Sequence, residues 1–131
     1  MRELLRNPLS DRGLSVVSAL GRIAIGTGLA IAPTRALGAL GFDDVSPTTV
    51  TVARIAGGRD IVQGAVTLLA VDDPDRLRAA SLANAAVDGG DAATFAAALA
   101  MGDELRTGAV RGLAAAVPAT LASLWVARRL S

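Results

Sequence analysis

Six charged side chains lie where a charge is costly. Arg22, Arg54, Arg59, Asp60, Asp88 and Asp91 all fall inside long apolar runs. The 131-residue chain contains no His, Cys, Tyr or Lys. Thiolate and imidazole chemistry, disulfides and Cys/His zinc sites are therefore excluded, and carboxylates remain as the general bases. Three arginines among three aspartates would repel a bound cation, so no metal site and no cofactor are expected. Charges of this kind survive in an apolar setting by facing inward and pairing. Three readings follow. The pairs are a structural clamp that fixes which helices pack and in what register. They are a ligand or ion site at the centre of a bundle. Or Asp88 or Asp91 carries a proton relay. With so few reactive groups, the balance leans away from an enzyme.

The elements that must position these charges are four apolar stretches. They run at about 14–32, 48–71, 75–101 and 107–127. Asn7-Pro8 and Ser10-Asp11 precede the first, and Pro33 ends it. Ser46-Pro47 starts the second, Asp72-Asp73-Pro74 stops it, and Gly102 is placed to cap the third. None alternates as a strand would. Each comes close to the ~20 residues that cross a bilayer core, whereas soluble helices average about 11–12. The fold expected is all-α: a single four-helix transmembrane bundle. Pro118 is expected to kink the fourth span. Arg22 within the first stretch argues for a retained span rather than a cleaved leader.

Composition agrees. Apolar residues make up 52% of the chain, charged residues 19%, and the mean hydropathy is positive. A disordered chain needs the reverse. A net charge of +1 with interspersed signs does not suit nucleic acid. The arginines also sort by side. Arg2, Arg6, Arg12, Arg76, Arg78, Arg128 and Arg129 flank one side of a four-span topology. Arg35 and Arg106, with Arg111 just inside the fourth span, flank the other. The positive-inside rule then puts both termini in the cytoplasm of a multi-pass cell-membrane protein. Its expected partners are the lipid bilayer and either further copies of itself or a larger membrane complex.

At 1.5 Å per residue, Arg22, Arg59, Asp60 and Asp88 fall near one plane at mid-depth. Arg54 and Asp91 both fall on the outer side of that plane, by roughly 7 and 5 Å. A midplane cluster of the first four and an outer Arg54–Asp91 pair are the expectation. Asn84, Asp88, Asp91 and Phe95 share one helix face. Arg54 and Arg59 are about 140° apart, so only one of them can reach that face. Gly26, Gly57 and Gly64 are expected at helix contacts, with Gly57 and Gly64 on the side of Asp60. Gly-Gly-Arg-Asp at 57–60 is no phosphate loop, since no strand precedes it and no GK[ST] follows. Arg22-Ile-Ala-Ile-Gly26 and Arg54-Ile-Ala-Gly-Gly58 share a short R-I-A-x-G pattern, as an inverted repeat would.

Arg22, Gly26 and Pro33, then Ala53-Arg54-x-x-Gly57-x-Arg59-Asp60 with Gly64, then Asp88-x-x-Asp91, resemble a domain-of-unknown-function family. Its members are small bacterial and fungal four-helix membrane proteins, loosely similar to DoxX-type proteins. The Arg-only, Ala-rich composition resembles an actinobacterial member. The resemblance implies a four-helix membrane protein with no established activity. It carries over no catalytic residue. Small size, short loops and glycine-rich faces point to an accessory or assembly subunit, or to a binder of a small amphipathic molecule. The alternatives are a membrane transporter or enzyme using Asp88 and Asp91 with Arg partners, and a soluble Ala-rich bundle. An apolar exterior would favour the membrane readings, a charged one the soluble bundle.

Overall fold

The computed structural model describes residues 10–42, 45–102 and 106–131. Among the described residues the only regular secondary structure is helix, with no strand. They form α1 (Asp11–Ile31), α2 (Pro33–Leu40), α3 (Pro47–Ala70), α4 (Pro74–Met101) and α5 (Arg106–Arg129). The four long helices match the four apolar stretches. The first three long helices start where side chains satisfy free backbone donors. Ser10 accepts from Gly13 N at 3.0 Å, Ser46 from Thr49 N at 3.2 Å, and Asp73 from Arg76 N at 3.0 Å. Pro47 and Pro74 stand in the first turns, where proline has no donor to lose. Gly102 caps α4 at φ 144°.

One expectation needs correction. Pro33 does not simply end the first helix. It opens α2, an eight-residue helix closed at Gly41 with φ 88°. The Gly41 and Phe42 amides bond back to the Gly38 and Leu37 carbonyls at 3.0 Å each, a Schellman closure. Among the described residues there are thus five helices rather than four. Helix α5 continues through Pro118 from Arg106 to Arg129. The flanking charges Arg2, Arg6, Asp43, Asp44, Asp103 and Glu104 lie outside the described residues.

The long helices pair as two antiparallel hairpins, α1 with α3 and α4 with α5, which then pack against each other. The first hairpin is built on small residues. A Cβ at Gly26 would lie 2.5 Å from Gly57 O, and one at Gly64 would lie 2.6 Å from Ala19 O. Gly57 and Gly64 are seven residues apart, as are Ala19 and Gly26, so one register brings both close approaches together. The second hairpin uses rings in glycine notches. Phe95 of α4 fills the space beside Gly112, and Phe42 fills that beside Gly108. At one end of the bundle, Leu29, Leu37 and Ala53 are buried together with Phe42 and Val45 beside them. At the other end, Ala70, Leu77 and Ala80 are buried against Leu130, and Asp11 lies 3.8 Å from Arg129.

Candidate functional site

The α1/α3 register sets Arg22 midway between Ala19 and Gly26, across from Asp60 and Gln63. The Arg22 guanidinium reaches three residues on two helices. Its Nη2 makes a close ion pair with Asp88 Oδ2 on α4. Its Nη1 lies 3.4 Å from Gln63 Oε1 and 3.7 Å from Asp60 Oδ1 on α3. Arg59 makes a fork-on-fork pair with Asp91, Nη1 to Oδ1 at 3.1 Å and Nη2 to Oδ2 at 2.7 Å. It also donates to Asp60 Oδ1, at 3.2 Å from Nη2 and 3.4 Å from Nε. Asp60 therefore bridges the two arginines.

The network is graded in depth. The Arg22 and Asp88 side chains are 11% and 7% exposed, Asp60 15%, and Arg59 and Asp91 37% and 35%. Beyond Arg22 it continues through neutral groups. Gln63 Nε2 donates to Asn84 Oδ1 at 3.2 Å, and Asn84 Nδ2 donates to Thr67 Oγ1 at 3.0 Å. Thr67 Oγ1 in turn donates to the Gln63 carbonyl at 2.8 Å. Asn84 and Thr67 are buried.

The expected outer pair of Arg54 with Asp91 is not formed. Asp91 belongs to Arg59, and Arg54 is exposed, with no ion-pair partner among the described residues. Depth alone suggested that pair, but the angle around α3 decides against it. Arg59 shares the face of Asp60, and Arg54 points away from it. Arg22, Arg59, Asp60 and Asp88, expected at one level, are brought together, with Asn84 linked to them through Gln63. Gly26, Gly57 and Gly64 stand at the α1/α3 contact. Gln63 was missed in the sequence, although it lies one turn beyond Arg59 and Asp60 on their side of α3. The notches at Gly108 and Gly112 were also missed, although their G-x-x-x-G spacing was there to read.

The charged network borders a cavity of about 340 Å³ between α1, α3, α4 and α5. Arg22, Arg59, Asp60, Asp88 and Asp91 line one part of it. Ile25, Leu29, Leu40, Phe95 and alanines of α5 line the rest. An apolar pocket with a few convergent polar groups is the usual form of a small-molecule site. On the far side of the network lies a second space of about 20 Å³. Ser15, Ser18, Thr67, Ser81, Asn84 and Ser123 are among its lining residues. That is room for a water molecule, with polar partners to hold it. Among the described residues no group of acidic side chains has metal-binding geometry.

Comparison with known proteins finds no matching family model, and neither a curated protein nor a solved structure matches significantly.

Proposed function

We propose that the chain is a multi-pass membrane protein whose four long helices cross the bilayer and hold a small amphipathic molecule in the cavity beside the Arg/Asp network. The observation that carries this reading is the inverted polarity of the bundle. Leu69 is 84% exposed, Ile31 77% and Ile55 69%, and Val62 and Leu121 are exposed as well. Meanwhile Asp88, Asn84, Ser81, Thr67 and Ser123 are buried. Water favours the opposite arrangement, and lipid favours this one. Helices α1 and α5 are long and apolar enough to span a membrane on their own. Helices α3 and α4 carry more charge, and much of it belongs to the inward network. Arg54, two turns into α3, has a side chain long enough to reach the interface from a lipid-facing position.

The reading rests on this exterior and this cavity rather than on family membership. The arginine distribution supports cytoplasmic termini in the cell membrane. In the same reading the Arg–Asp pairs both clamp the helices and form the polar end of the cavity. Fractionation of the expressed chain with an alkaline carbonate wash tests insertion. Retention in the pellet and release only by detergent is the expected result. A monodisperse species in the soluble fraction would overturn it.

A further inference from the structure

The charge count at the cavity is uneven once Arg54 is turned outward. Arg22 and Arg59 face three carboxyl groups, Asp60, Asp88 and Asp91, which leaves one carboxylate charge in excess when all three are ionised. One donor of the network, Arg22 Nε, is sealed in the interior without a partner among the described residues, and the positions left open are acceptors. Asp60 meets both arginines through Oδ1, and Asp88 meets Arg22 through Oδ2. Asp60 Oδ2 and Asp88 Oδ1 have no donor among the described residues, yet neither is sealed in the protein interior. Two open acceptors and one uncompensated negative charge border a cavity whose other walls are apolar. In a low-dielectric setting such a charge draws a counter-charge strongly.

We infer that the cavity takes an amphiphile with a cationic, hydrogen-donating head, of the primary alkylammonium class. This rests on the amphipathic-ligand reading above and names the chemistry of that ligand. The ammonium donates to Asp60 Oδ2 and Asp88 Oδ1 and brings the network to neutrality. The alkyl body lies along Ile25, Leu29, Phe95 and Ala115. A fatty carboxylate is rejected, because its head would add a second uncompensated negative charge beside Asp60.

The test uses the full chain in phosphatidylcholine nanodiscs, titrated calorimetrically with octylamine, octanol and octanoate, with empty discs as reference. Octylamine is expected to bind saturably above the empty-disc background, and octanol and octanoate are not. D60N should weaken octylamine by about tenfold or more, since one such factor is 1.4 kcal/mol of lost interaction. A115F narrows the apolar wall and leaves every carboxylate in place. It should remove binding while circular dichroism and detergent stability stay unchanged. Equal binding of octanol or octanoate would overturn the cationic-head assignment while sparing the cavity as an amphiphile site. Failure of all three probes in a correctly inserted protein would overturn both.

Discussion

Gly26 of α1 and Gly57 of α3 meet backbone to backbone, so that a Cβ on either would stand 2.5 Å from the carbonyl oxygen of the other. No side-chain rotation relieves such a collision. The contact also sets the register that carries Arg22 to Asp60 and Gln63. G57A is therefore expected to lower stability by about 1–3 kcal/mol, the usual range for overpacking. Its neighbour Gly58 has nothing within 4 Å of a built Cβ. G58A should leave stability unchanged or raise it by up to about 1 kcal/mol through helix propensity. Thermal unfolding in detergent, followed by circular dichroism, compares the pair. Equal effects would contradict the packing assignment.

Arg22 and Asp88 form the most buried ion pair of the network. Removing one partner strands the other in an apolar interior. D88L alone should cost about 3–5 kcal/mol, whereas the double variant R22M/D88L should recover most of that loss. A double-mutant cycle of denaturant midpoints measures the recovery. Strictly additive losses would show that the two residues do not act as a pair.

Arg54 and Arg59 separate cleanly. Arg54 is exposed and has no ion-pair partner among the described residues, so R54Q should change stability by no more than about 0.5 kcal/mol. Arg59 binds Asp91 through both oxygens and also reaches Asp60. R59Q should cost more than R54Q, though less than D88L, because Arg59 is over a third exposed. Unfolding of the two variants side by side gives the order. A larger loss for R54Q would restore the Arg54–Asp91 pairing.

Asn84 joins Gln63 to Thr67 from a buried position. N84A leaves the Gln63 amide and the Thr67 hydroxyl short of a partner, at a cost of about 1–3 kcal/mol. Q63L/N84L removes both amides together and should be milder than N84A. The same detergent unfolding assay decides. A double variant worse than the single would show that the amides act separately.

The long helices were legible because their ends are written in local chemistry. Ser46-Pro47 and Asp73-Pro74 each combine a capping oxygen with a proline that needs no donor. Helix α2 was not legible, because Pro33 reads equally as a stop or as a first-turn residue. What decides is the closure at Gly41 and the burial of Leu37 with Leu29 and Ala53, which is tertiary. The inward charges were legible from depth, since Arg22, Asp60 and Asp88 share a level. Their pairing was not, since depth ignores rotation about the helix, and that rotation gives Asp91 to Arg59 instead of Arg54. The cavity was invisible in the sequence. It lies between the α5 alanines and Ile25 and Leu29, with Phe95 at its edge.

The central claim is that the apolar exterior meets lipid. The chain has no native cysteine, so single cysteines can be spin-labelled one at a time. L20C, V62C, L82C and L121C sample the exposed faces of the four long helices, and S81C and S123C sample the buried interior. The decisive measurement is collision of each label with oxygen and with a water-soluble nickel chelate in reconstituted vesicles. All four exterior labels should be open to oxygen and closed to nickel, and the two interior labels closed to both. Exterior labels relaxed by nickel would place these faces in water and contradict the membrane account.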